Sequence, residues 1–248
     1  MLQVKNDMSR VGPNIAYNEV MLELPELFAH EQVTPLLQPL LDVTWPWQIL
    51  DTLDDFLDTV VRGRHKLQGK VHPTAVIEGD VVLAAGASIG PHAFVQGPAW
   101  LGEGASVGHG AYLRGGVVLA AGAKVGHASE IKHALLLEGA TAAHFNYVGD
   151  GILGRGVNLG AGVKLANLGA LGKTINVAGV STERSKFSAA VGDDVFVGCN
   201  AVLQPGCIVG ARSVIYGTAF VRGVQPADNV IKVRPVIEQV HRQAATTR

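Results

Sequence analysis

Counting from Val71, every sixth residue is aliphatic for twelve positions, from Val71, Ile77, Leu83 and Ile89 through to Ile131 and Leu137. The series resumes out of phase at Leu153, Leu159 and Leu165, and again from Val191 through Val197, Leu203, Val209 and Ile215 to Val221. Glycine follows many of these residues directly, as at Gly90, Gly108, Gly126 and Gly160. An α-helix repeats every 3.6 residues, and a plain hairpin sheet has no reason to mark every sixth position. A coil of short parallel strands does, with one aliphatic side chain per hexad pointing inward and small residues turning the corners. Three hexads make a turn of 18 residues, and turns stack at roughly 4.8 Å, so residues 18 apart are vertical neighbours. The expected fold class is therefore all-β, a parallel β-helix of hexapeptide repeats.

The hexads divide the chain. Residues 1–70 carry none and form an expected helical and loop region; 71–226 form the prism, with an inserted loop at about 168–190; 227–248 form a short helix around Val236, Ile237 and Val240, then a tail. Ile49, Leu50, Leu53, Phe56, Leu57, Val60 and Val61 recur at helical spacing, which predicts an amphipathic helix over 47–62 between Pro46 and Gly63. Its expected place is the open end of the prism, over the unpaired strand edge. The register slips by four residues between Leu137 and Leu153, around AHFNYVGDG, and again across the loop before Val191. Such breaks are where functional loops are inserted at low cost.

Net charge is −1, which argues against bulk nucleic-acid binding. Residues 1–70 hold 10 acidic and 6 basic side chains, while 71–248 hold 11 and 14. A mildly basic prism suits an anionic small ligand; ordinary surface scatter accounts for the totals equally well. No apolar run reaches the roughly 18 residues of a membrane span, and MLQVKNDMSR lacks the layout of a signal peptide. Cys199 and Cys207 form neither a CxxC pair nor a metal spacing. A soluble cytoplasmic protein without nucleic-acid or membrane partners is expected.

Several groups bear on chemistry. Arg114 and Lys132 are 18 apart, each following an inward aliphatic residue, and should stack in adjacent coils. They form either a clamp for a shared phosphate or carboxylate, or two splayed, solvated side chains. His144 and Tyr147 lie where the register breaks, and a histidine is a natural general base for an amine or hydroxyl. His109 and His127, also 18 apart, should stack as exposed turn residues, with no third ligand at a matching offset for a metal. Lys173, Arg184 and Lys186 place further cations in the long loop.

The segment EIKHALLLEGATAAHFNYVGDGILGRGVNLGAGVKLANL resembles the acetyltransferase half of the bifunctional glucosamine-1-phosphate N-acetyltransferase/UDP-N-acetylglucosamine pyrophosphorylase family, and VGDDVFVGCNAVLQPGCIVG continues the match. PWQIL resembles the segment that joins the two halves in some bacterial and archaeal members. The likeness covers roughly residues 45–235. It implies a left-handed coil and a homotrimer with sites between subunits. His144 falls on the family's catalytic base, and Tyr147 on a tyrosine that contacts the sugar phosphate. Arg114 and Lys132 fall on the phosphate-binding pair. Asn158 and Asn167 fall on the sugar-binding and oxyanion-side asparagines, and Lys173 on a loop lysine. Ala161 and Gly217 fall near acetyl-CoA contacts, Cys199 where the standard bacterial enzyme has serine, and Arg234 near a CoA-binding arginine. Residues 1–70 lack the nucleotidyltransferase's Gly-rich loop, and Asn176 stands where related sequences tend to carry a second lysine.

The expected function is acetyl-CoA-dependent N-acetylation of an amino-sugar 1-phosphate, without a metal. A second expectation is a non-catalytic β-helix subunit that binds a sugar nucleotide and scaffolds a separate nucleotidyltransferase partner. A zinc hydratase of this fold fits poorly, because His127 and His133 are six apart rather than five. Pyrophosphorylase activity lacks its nucleotide loop.

Overall fold

The computed structural model describes residues 21–169, 172–234 and 239. The expected C-terminal helix around Val236, Ile237 and Val240 lies outside the described residues. From His65–Leu67 to Val230–Ile231 the chain winds as a left-handed parallel β-helix of hexapeptide repeats. Its strands stack into three ladders, one per prism face. Pairings such as Val81↔Ala99 and Ser88↔Ser106 confirm the 18-residue turn.

Inward positions alternate a small and a large residue, as in Ala105 with Val107 and Ala111 with Leu113, all essentially buried. Stacked copies of this pair fill a narrow triangular core. At the corners, backbone nearly touches backbone. A Cβ on Gly126 would stand 2.0 Å from the Ala143 carbonyl oxygen. Only glycine fits there.

Two corners in the middle of the coil are each one residue short. The inward aliphatic series runs Ile131, Leu136, Ala142, Val148, Leu153, so two steps are five residues long instead of six. The pairings follow, with Val117↔Ala134 and Ala134↔Gly151 both 17 apart. The apparent four-residue slip is thus two separate one-residue deletions, the second of them within AHFNYVGDG, at Asp150. Leu137, expected to point inward, instead faces outward, and Leu136 takes its place. The missing residue removes the usual two-residue corner, so strands Glu130–Leu136 and Tyr147–Leu153 run through the bend from one face to the next. His133 and Asp150 make those bends at φ of 45° and 48°, a left-handed conformation that few side chains other than Asn, Asp and His adopt.

Four short 3₁₀ turns lead into helix α1, Ile49–Val60. Ile49, Leu50, Leu53 and Leu57 are buried, and Val61 N–H closes the end on the Leu57 carbonyl. Burying each such side chain contributes roughly 2 kcal/mol. The helix does not cap the open end as expected. It lies across one prism face, where outward residues Val118, Leu135, Ile152, Ala190 and Ile208 join its apolar cluster. The physical reason is visible in those residues: this face is apolar outside as well as inside and needs a cover. Asp193 fastens the upstream segment by accepting from the Ala29 and Arg155 backbone N–H groups at 2.9 and 2.7 Å. Among the described residues no helix is long and apolar enough to cross a membrane.

Candidate active site

The two shortened corners lie one above the other, and their side chains form one polar cluster. Asp150, with a side chain only 6% exposed, is its centre. Its Oδ1 and Oδ2 accept from Lys132 Nζ at 3.0 and 3.1 Å. Oδ1 also meets His133 Nδ1 at 3.0 Å, and Oδ2 accepts from Asn167 Nδ2. Burial by itself would raise the Asp150 carboxyl; the donors from His133, Asn167 and Lys132 outweigh it and hold it at about 2. The other ring nitrogen of His133 reaches Asp54 of α1 at 3.0 Å.

Arg114 and Lys132 do stand at the same step of adjacent coils, as the pairing Leu113↔Ile131 just before them shows. They share no gap waiting for an anion, however. Arg114 pairs with Glu130 at 2.7 Å, which raises its pKa, and Lys132 pairs with Asp150. Each cation already has its own carboxylate, which lowers their mutual repulsion.

Beyond Lys132 along the same face opens a groove of about 430 Å³ lined by Phe145, Tyr147, Lys164, Ala166, Asn167, Leu168 and Val202. Burial, with Glu130 and Asp150 nearby, raises the Tyr147 phenol, while the Asn167 amide opposes the shift. The hydroxyl therefore remains protonated at neutral pH. Gly149 makes room for this pair: a Cβ there would lie 2.6 Å from the Tyr147 hydroxyl and 2.7 Å from Asn167 Nδ2. Lys164, whose ammonium donates to the Gly162 carbonyl at 2.6 Å, is a groove cation the sequence reading did not single out.

His144 sits at an unshortened corner, exposed, in the ladder below His127. Its backbone is pinned by Asn146, a buried residue at a position where several other coils carry alanine, as at Ala93 and Ala111. Asn146 Oδ1 accepts from His144 N–H at 3.0 Å, and its Nδ2 donates to the Gly160 carbonyl at 2.7 Å. Corner bonds from Phe145 to His127, Gly162 to His144, Asn200 to Ala161 and Thr218 to Cys199 continue coil by coil. His127, His144, Ala161, Cys199 and Gly217 thus form one vertical column beside the groove. At the other end of the column, His109 stacks on His127 with ring centroids 4.9 Å apart. Among the described residues no three His, Cys, Asp or Glu side chains are grouped to hold a metal ion.

Other candidates are not brought together. Asn158 lies on a different face, between Thr141 and Phe196, away from Tyr147 and Asn167. Lys173 is exposed on the loop, and Arg184 is turned to Asp51 of α1. Arg234 is exposed near the end of the described chain. Asp150, His133 and Asn146 were missed. The available signal was spacing: His133 and Asp150 are 17 apart, which reads as out of phase until the turn itself is known to be 17 residues there.

No family model matches the chain. It is 35% identical over 185 residues to a bifunctional sugar-1-phosphate nucleotidylyltransferase/acetyltransferase of Sulfurisphaera tokodaii, a match covering 73% of this chain and 46% of that protein. It is 46% identical over 177 residues to the bifunctional protein GlmU of Methanococcus maripaludis strain C7, covering 70% and 42%. Among solved structures, a putative acetyltransferase of Bacillus cereus aligns at 14% identity and a TM-score of 0.37, over 63% of this chain and 76% of that chain, too distant to add to the sequence match. The chain is related in sequence to these bifunctional proteins and spans just under half their length.

Proposed function

We propose that this relative of the bifunctional sugar-1-phosphate proteins is an acetyl-CoA-dependent N-acetyltransferase acting on an amino-sugar 1-phosphate. The observation that carries the reading is the column of His144, Ala161, Cys199 and Gly217 running beside a groove walled by Tyr147 and Asn167. The column gives an extended donor such as acetyl-CoA a straight track leading to His144. The groove gives a sugar a polar wall, and Arg114 and Lys132 supply cations for its phosphate.

In the reaction, the amine nitrogen attacks the thioester carbonyl carbon and His144 takes the proton the amine loses. Collapse of the tetrahedral intermediate breaks the carbon–sulfur bond, and the leaving thiolate receives that proton. Such a base is worth roughly 10²–10⁴-fold. Asn167 already directs its amide toward Asp150 and Tyr147. Backbone N–H groups are therefore the readier oxyanion donors, with Asn167 serving once it turns from Tyr147. The step as written balances without a metal.

We read the working unit as a homotrimer. Helix α1 and its lead-in cover one prism face, and Phe145, Phe196, Phe220 and Tyr216 remain exposed elsewhere. Sedimentation should give about three times the 26.0 kDa chain mass.

The deciding experiment measures acetyl-CoA consumption with glucosamine-1-phosphate and galactosamine-1-phosphate, in wild type and His144→Ala. The variant should turn over about 10²–10⁴-fold more slowly while binding the acceptor almost unchanged. Equal turnover would remove His144 from the mechanism. No turnover in either, with sugar-nucleotide binding intact, would favour the non-catalytic subunit.

A further inference from the structure

We infer that His133 is a positioning residue for the acceptor's phosphate, held between helix α1 and Asp150 so that the Lys132 corner is both ordered and net cationic. The inference rests on the functional reading above and adds to it the region before the prism, whose helix becomes part of the site.

The ring of His133 has a side-chain exposure of 17% and a carboxylate oxygen 3.0 Å from each nitrogen, Asp150 Oδ1 on one side and Asp54 Oδ1 on the other. A neutral imidazole has one N–H and can satisfy only one of them; the doubly protonated ring donates to both. Charge then decides what the corner can bind. Lys132 and Asp150 alone are a neutral pair with no net pull on a phosphate. Carrying a proton on each nitrogen, His133 would add one positive charge. Asp54, 60% exposed, is screened by water and offsets little of it.

Order is the second contribution. A free lysine side chain carries about 2 kcal/mol of rotamer freedom that a ligand must remove on binding. Here the ammonium is held at 3.0 and 3.1 Å from both Asp150 oxygens before any ligand arrives, so that cost falls on folding. The residue after Lys132 is fixed as well, by its left-handed backbone and by both ring nitrogens. Through its second oxygen the same carboxylate holds Asn167, so one group sets the spacing between the phosphate lysine and the groove wall.

The test is calorimetric binding of glucosamine-1-phosphate, glucosamine and acetyl-CoA to the full chain, as wild type, His133→Asn and Asp54→Ala. Asparagine tolerates the positive φ and keeps a neutral donor, so it removes the charge while sparing the bend. For the sugar phosphate, His133→Asn should bind about tenfold more weakly and Asp54→Ala two- to threefold, with acetyl-CoA unchanged in both. Wild-type affinity in both variants overturns the inference. So does a parallel loss for acetyl-CoA, the mark of a purely structural role, or a wild type that binds the phosphorylated sugar no better than glucosamine. If His133→Asn fails to fold, Asp54→Ala decides, because its carboxylate is exposed. The predicted losses in a protein that transfers no acetyl group would sustain this inference and sink the functional reading. Transfer by wild type with unchanged affinities would do the reverse.

Discussion

Replacing Asp150 by Asn removes a carboxylate and leaves its shape, so the change reports on charge. In the folded chain burial raises this carboxyl, and the donors from His133, Asn167 and Lys132 bring it down from 3.8 to about 2. At 1.36 kcal/mol per pH unit that is about 2 kcal/mol of stability at neutral pH, an order-of-magnitude figure for a group only 6% exposed. Stripping one partner from a fully buried ion pair costs about 3–5 kcal/mol, but Lys132 keeps a quarter of its side chain in water. The expected loss is therefore about 2–3 kcal/mol. The folded pKa lies below the unfolded one, so the contribution is fully present above the unfolded value of 3.8 and disappears as pH falls through about 2. Urea unfolding followed by circular dichroism, at one protein concentration and from pH 7 to pH 2, reads both size and sign. The gap between wild type and variant should be constant down to about pH 4 and close below it. A gap that stayed flat to pH 2, or one below about 0.5 kcal/mol at pH 7, would refute the argument that these donors hold the carboxylate.

Three further outcomes follow from the geometry. Lys132→Ala should raise KM for a sugar phosphate about tenfold while leaving KM for acetyl-CoA as it is; steady-state kinetics with each substrate varied in turn checks this. Gly149→Ala should reduce turnover more than stability, because the new methyl meets the movable ends of Tyr147 and Asn167 at 2.6 and 2.7 Å; activity and melting temperature measured together separate the two. Leu53→Ala should cost about 2–4 kcal/mol and expose the segment before the prism to limited proteolysis, with the prism itself left intact.

Much of the architecture was readable because a hexad is a strong local constraint. An inward aliphatic residue every six positions, with glycine at crowded corners, leaves a parallel coil as the structure that buries all of them. The same rule placed Arg114 above Lys132 and His109 above His127, since 18-residue spacing is a statement about vertical neighbours. The helix was legible from Ile49, Leu50, Leu53 and Leu57, although its resting place was not. Where an amphipathic helix docks depends on which outer surface is apolar. That surface is assembled from Val118, Leu135, Ile152 and Ile208, residues that in a linear reading are merely the neighbours of core positions.

The site was legible only in part, for a related reason. A deletion of one residue changes the phase of everything after it, so the sequence showed a slip of four residues but not that it was two corners each short by one. Only the folded coil aligns His133 with Asp150, brings the distant Asp54 against the ring, and returns Asn167 to the same carboxylate after a further full turn. By itself, then, the sequence determined the repeat, the inward column and the stacking of residues one full turn apart, because those follow from local periodicity. The tertiary structure decided the partners of each charged group and the face that the helix covers, because these depend on phase summed over several turns and on contacts between segments far apart in the chain.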